Sequence, residues 1–231
     1  MKKGDLYKHR VSVIIPRLPD KKYDELTDTC YHSLYITQAN YDWVERIVVN
    51  KEQSFAKNVN EGLRQASHDL IMVCNNDVIA LHGWFAYTQQ FHGKQKIWSY
   101  TPDPGCGWCF GMTREVFEKI GFMDEKFENS YDDYDYFIRG AMQGITIQLA
   151  HKILMLHEGG ITLRQTWGEY QEQEQARLEA CEKNRGYMMS KWPDFPIDEV
   201  PTKRFCAFGP EMLNNWRVKH GKDRTYGKPE S

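Results

Sequence analysis

The sequence predicts an α/β fold, a single domain with a mostly parallel central sheet flanked by helices. Two observations carry that expectation. Short β-branched apolar runs alternate with amphipathic stretches in the order strand, helix, strand, helix, strand. Each of the first three runs then stops at polar or turn-forming residues: Pro16-Arg17, Asn50-Lys51 and Asn75-Asn76-Asp77. Right-handed crossovers bring the carboxyl ends of neighbouring parallel strands to one edge, and open α/β sheets bind ligands in that crevice. The three strand ends therefore predict a nucleotide site. No Gly-rich dinucleotide fingerprint follows the first strand, and no Walker loop is present.

The elements follow in order. Residues 11–15 form the first strand, closed by Pro16. Asp20 caps a helix that aligns Tyr23, Leu26, Cys30 and Leu34 on one face. Residues 44–49 form the second strand, ending at Asn50. Ser54 caps the next helix, with a stripe of Phe55, Val59, Leu63 and Ala66. Residues 70–74 form the third strand. Strands are further expected at 96–100, 109–113, 145–149 and 153–156, with helices over 83–91 and 114–120. A helix starting at Asp132 or Asp133 places Tyr134, Phe137, Ile138, Ala141 and Met142 at core-facing spacing and ends at Gly144. A long polar helix spans 169–191, before Pro193, and residues 217–231 read as an arm.

Composition excludes several classes. A net charge of −2 gives no reason to expect a nucleic-acid or anionic-membrane partner. Residues 1–10 are charged and the apolar run 11–16 is too short for a signal peptide, and no run approaches a transmembrane span. Six scattered cysteines suit a reducing, cytoplasmic setting. Cys106 and Cys109 have dithiol spacing, but the pair precedes a strand and not a helix, so an ordinary buried or loop pair is the better reading.

The chemistry-bearing residues form two groups. Asp77 ends the third strand, and His157 ends a later apolar run just before Gly159-Gly160. A carboxylate with an imidazole suits Mn2+ or Mg2+ when diphosphate oxygens and water complete the coordination. The metal is thus expected to arrive with its nucleotide. The second group is Tyr131-Asp132-Asp133-Tyr134-Asp135. Acidic residues at a helix start also offset the helix dipole, and Asp135 can pair with Arg139 one turn on. For Asp133 the apolar stripe of its helix favours a functional role.

Taken together, these stretches resemble the family 2 glycosyltransferases of the GT-A fold, and especially their rhamnosyltransferase-like branch. The resemblance covers residues 11–162. It rests on Val13-Ile14-Ile15-Pro16, on Phe55-Ala56 followed by Asn60-Glu61-Gly62, and on Asn75-Asn76-Asp77 as a DXD-like motif with Asn first. It continues through residues 111–114, Ile120-Gly121-Phe122, Asp124-Glu125-Lys126-Phe127, the acidic cluster at 131–135 and His157-Glu158-Gly159-Gly160.

The resemblance implies a GT-A (Rossmann-like) transferase core over residues 1–165, with a C-terminal helix and arm over 166–231. It implies inverting transfer from a nucleoside-diphosphate sugar, UDP- or dTDP-linked, to a hydroxyl of a glycan or glycoconjugate acceptor. Asp77 and His157 would hold the Mn2+ or Mg2+, and Asp133 would be the catalytic base with Asp132 as fallback. Pro16, Arg17, Asn50, Lys57, Asn60, Asn75, Asn76 and Asp77 would line the nucleotide-sugar site. Arg17 reads either as a phosphate ligand or as a loop charge. Asn50 stands where the family commonly has Asp. Trp108 and Tyr131 would stack on acceptor sugar rings, although core packing also explains Trp108. The missing first Asp of the metal motif motivates the alternative: a transferase-like module that binds sugar nucleotides or glycans without turnover.

Overall fold

Residues 9–38, 43–51, 53–102, 107–128, 130–157 and 171–195 are described in the computed structural model, without the side chains of 171–177. The first strand, β1 (Val11–Arg17), is buried along nearly its whole length. It pairs in parallel on one side with β2 (Val44–Asn50) and on the other with β3 (Leu70–Cys74). Helices cover both faces of the sheet here, so this strand must be apolar on both. The run Val-Ser-Val-Ile-Ile meets that demand because its one polar side chain, Ser12, is itself held by Glu45 Oε2.

Two helices connect these strands. Asp20 caps a short 3-10 turn, Lys21–Tyr23, and not the helix itself. The helix α1 (Asp24–Ile36) follows directly and buries Thr27, Cys30, Ser33 and Leu34. In α2 (Phe55–Gln65) Ser54 accepts from the Lys57 N–H, and Ala56, Val59 and Leu63 face the sheet. Gly62 lets this helix lie on β1, because a Cβ there would overlap Ile14.

Beyond β3 the sheet changes direction. The strands β5 (Lys96–Ser99), β6 (Cys109–Thr113) and β7 (Thr146–Gln148) complete the order β2-β1-β3-β6-β5-β7. Only β6 runs antiparallel to its neighbours, so the sheet stays mostly parallel. A separate two-stranded sheet joins β4 (Val78–Ala80) to β8 (Met155–His157). The run ending at His157 pairs with the three residues that follow Asp77, because β3 is already saturated by β1 and β6, and so it ends beside the carboxyl edge of the main sheet.

One apolar cluster fills each face of the main sheet. On one, α2, α4 (Arg114–Ile120) and α5 (Asp132–Met142) pack on Ile14, Val73 and Met112, joined by Met188 and Trp192. On the other, Cys30 and Leu34 of α1 and Trp84 and Phe85 of α3 (Trp84–Gln89) pack on Val13, Met72 and Trp98. The last helix among the described residues, α6 (Gln171–Lys191), is fixed to α5 through polar groups. Trp192 Nε1 donates to Asp135 Oδ1 at 2.9 Å, and Lys191 Nζ sits 2.7 Å from Asp135 and 2.6 Å from Asp124. Asp135 also pairs with Arg139 at 2.9 Å. That carboxylate is fully buried, so it holds elements together and does not face the crevice.

Candidate active site

The crevice has two halves, and each begins where a regular element ends. β3 stops at Cys74, and the chain turns through Asn75 and Asn76 before β4 starts at Val78. The β4–β8 register pairs Val78 with His157, which sets Asp77 beside the imidazole. Asp77 Oδ1 lies 3.1 Å from His157 Nε2. The two atoms are not aligned for a hydrogen bond, and neither meets another partner among the described residues. Asn75 Oδ1 is likewise buried without a partner, whereas Asn76 Nδ2 donates to Thr27 Oγ1 at 3.4 Å.

Buried polar atoms left without partners are costly, so their presence points to something the protein binds. The donor set fits a divalent cation. Two ligands about 2.1 Å from an octahedral metal and at right angles to each other lie about 3.0 Å apart, close to the 3.1 Å found here. No group of three or more His, Cys, Asp or Glu side chains is placed to hold a metal among the described residues. A cation held by these two side chains would need its remaining positions filled by oxygens from a ligand and water.

Trp108 braces this half. Its ring stacks on His157 with centroids 4.7 Å apart and planes 4° from parallel, and its carbonyl accepts the Asn75 N–H at 2.7 Å. The sequence offered Trp108 as an acceptor platform; the structure places it against the imidazole.

The other half is the start of α5. Tyr131 precedes it with φ +65°, the one described non-glycine residue in the left-handed region. Such a conformation costs about 1 kcal/mol or more and survives only where surrounding contacts enforce it. It turns the chain so that Asp132 and Asp133 open the helix. Asp133 Oδ2 accepts the Gly107 N–H at 2.8 Å, and Oδ1 accepts the Tyr134 N–H at 2.9 Å. A Cβ on residue 107 would overlap that of Asp133, so only glycine allows this approach.

Asp132 is buried, and its Oδ2 has no partner among the described residues. Burial, then the neighbouring Asp133 carboxylate, pushes its pKa up to about 8. Burial raises Asp133 as well, but two backbone N–H groups oppose that shift. Burial thus raises Asp132 more than Asp133, so of the two carboxyls Asp132 is the one favoured to hold a proton and Asp133 the one favoured to carry charge. Asp133 also retains partial exposure, which a group that meets a substrate needs.

Gly107 and Trp108, adjacent in sequence, join the halves: one binds Asp133 and the other binds His157. The remaining predicted residues sit as follows. Pro16 is buried at the end of β1, and Arg17 pairs with Asn50 in the sheet register. The Arg17 guanidinium is 2.6 Å from Asp24 and donates to the carbonyls of Leu18 and Asp20, so its own loop holds it. Asn50 and Lys57 are exposed. Asn60 is buried and clamps the Met123 backbone through both ends of its amide, so its amide is spent within the protein. Cys106, Glu158, Gly159 and Gly160 lie outside the described residues, and Cys109 is a buried free thiol in β6.

Sequence reasoning missed Asn58. It is buried, and its Nδ2 donates to the carbonyls of Arg17 and Lys51, tying together the ends of β1 and β2. Its only signal was a polar residue beside the apolar stripe of α2.

An open, mostly parallel sheet with an acidic turn at its carboxyl edge and a small antiparallel sheet beyond it is the GT-A, Rossmann-like architecture. Among solved structures, the chain is similar to the mannosyltransferase PcManGT from Pyrobaculum calidifontis, determined in complex with GDP-Man and Mn2+. The TM-score is 0.55 at 14% sequence identity, over 92% of this chain and 80% of that one. At that identity the likeness is one of fold; the GT-A fold is shared, and the rhamnosyltransferase-like branch is not distinguished. No protein-family model and no curated protein sequence matches the chain.

Proposed function

We propose that this protein is an inverting, metal-dependent glycosyltransferase that moves a sugar from a nucleoside-diphosphate sugar to a glycan hydroxyl. The observation that supports this most is the bridge formed by Gly107 and Trp108. It fixes a carboxylate suited to general-base work beside a carboxylate–imidazole pair suited to a divalent cation.

The Asp133 carboxylate takes the proton of the acceptor hydroxyl as its oxygen attacks the anomeric carbon. The bond from that carbon to the diphosphate breaks on the opposite face, and the electron pair leaves with the diphosphate. Asp77 and His157 hold the Mn2+ or Mg2+, which when bound stabilises negative charge on the leaving group. Asp132 keeps its proton and so does not compete as base at neutral pH. The ends of β1 and β2, with Pro16 and Asn50, receive the nucleoside, while Asn75 and Asn76 hold the turn or meet ribose or sugar hydroxyls. In this reading Tyr131 stacks on the acceptor and Lys57 meets the nucleotide. In this reading residues 1–165 form the transferase core and 166–231 an extension.

The donor is proposed as UDP- or dTDP-linked; GDP-mannose is included in the test because PcManGT was solved with GDP-Man. Nucleoside diphosphate release is measured for each nucleotide sugar with Mn2+ and a panel of glycan acceptors. Acceptor-dependent release that Asp133→Asn abolishes is the expected result. Binding of a nucleotide sugar without release under any acceptor would move the assignment to a binding module.

A further inference from the structure

The left-handed turn at Tyr131 needs an enforcing contact, and α6 supplies one. Asn184 is 1% exposed and spends its whole amide on the segment just before that turn. Its Nδ2 donates to the Glu128 carbonyl at 3.0 Å, to Ser130 Oγ at 2.7 Å and to the Ser130 carbonyl at 3.3 Å. Its Oδ1 accepts the Glu128 N–H at 3.4 Å. Asn184 lies on a helix that also meets α5 through Lys191 and the following Trp192, two turns further on, and through Met188 in the shared apolar cluster. The hydrogen bonds of the Asn184 amide fall on Glu128 and Ser130, and none of them falls on α5 itself.

Resting on the glycosyl-transfer reading above, we propose that Asn184 is a positioning residue for the Asp132–Asp133 pair. Its hydrogen bonds fix the backbone that enters Tyr131, Tyr131 in its left-handed conformation sets the first turn of α5, and that turn aims Asp133 at Gly107. The base is then held from two sides, by Gly107 on the crevice face and by Asn184 behind it. A carbonyl-rich loop needs donors, and a buried Asn can give two N–H groups while accepting one. Aspartate at this position has the same shape and no donors to give.

The test compares wild type, Asn184→Asp, Asn184→Ala, Ser130→Ala and Lys183→Ala by two readouts. The first is amide hydrogen exchange, which reads local opening without needing turnover. Exchange at Gly107, Tyr134 and Asp135 is expected to speed up about tenfold in Asn184→Asp and less in Ser130→Ala, with β3 unchanged. Lys183→Ala removes only the exposed pair with Glu128 and is expected to match wild type. The second readout is nucleoside diphosphate release, where kcat is expected to fall about 10–100-fold with the donor KM unchanged. Unchanged exchange at all three amides, or faster exchange spread over the whole sheet, would overturn the inference. If both Asn184 variants fail to fold, Ser130→Ala decides: local exchange supports the clamp and wild-type exchange removes it. Absence of turnover in wild type would strike the functional reading, while the exchange arm would still judge the clamp.

Discussion

Asp77 and His157 face each other at 3.1 Å because Val78 and His157 are paired residues of a two-stranded antiparallel sheet. Register, not proximity along the chain, makes the pair: 80 positions separate them (157 − 77 = 80). A one-residue slip would turn His157 to the other face of that sheet.

Trp108 should matter for the cation although it cannot bind one. Its indole braces the imidazole, and supports behind a metal ligand typically account for about 10–100-fold in metal affinity. Trp108→Ala is expected to weaken Mn2+ binding in the presence of a nucleoside diphosphate by that range, measured by calorimetry. An unchanged affinity would return Trp108 to the acceptor-platform reading.

Asp133→Asn should lower turnover about 10²–10⁴-fold, the usual contribution of a positioned base. Nucleoside diphosphate affinity should stay within about twofold, because Asp133 does not touch the Asp77 half. Steady-state rates and calorimetry on the same preparation separate the two effects. Comparable loss of binding and rate would mean that Asp133 supports the crevice and not the chemistry.

Asp132 makes a prediction about stability and pH. Its carboxyl titrates near its ordinary value of 3.8 in the unfolded chain and at about 8 when folded. Between those values the folded state binds more protons, so stability falls as pH rises. The contribution is complete below the lower value and gone above the upper one, at up to about 1.4 kcal/mol per pH unit. Asp132→Asn, neutral throughout, should flatten this dependence and become the more stable protein at pH 9. Urea denaturation at pH 5, 7 and 9 measures it; parallel curves for the two proteins would contradict it.

Gly107→Ala should act through geometry alone. The added methyl must push Asp133 aside, and displacement of a base by about 1 Å can cost 10²-fold in rate. The expected pattern is a lowered kcat with metal and nucleotide affinity preserved, since Trp108 still braces His157. Wild-type kcat in this variant would show that the Gly107 N–H does not set the base.

Much of this was legible before any coordinates. β-branched runs with polar ends gave β1, β2 and β3, and placed Asp77 at a strand terminus, because those signals are local. The apolar stripe of α5 was legible in the same way, and Asp133 lies off it, half-exposed between buried neighbours. What stayed hidden depended on distant pairing. Three-residue strands such as β4 and β8 carry too little periodicity to reveal their partner. Asn58, Asn60 and Asn184 are ordinary polar residues on helices, and only the backbone groups they meet show that they are buried clamps. Trp108 had two readings from sequence, and neither was a brace for an imidazole.

Under the proposed function a divalent cation and a diphosphate bind together at Asp77 and His157. Thermal melting with UDP, dTDP or GDP, each with and without Mn2+, tests it on wild type and Asp77→Ala. Ligand at about 100 times its Kd stabilises by about 2.7 kcal/mol, or about 5–10 °C for a chain of this size. A shift of that order is expected for at least one nucleotide in wild type, dependent on Mn2+ and absent in Asp77→Ala. No shift with any nucleotide, or an equal shift in Asp77→Ala, would contradict it.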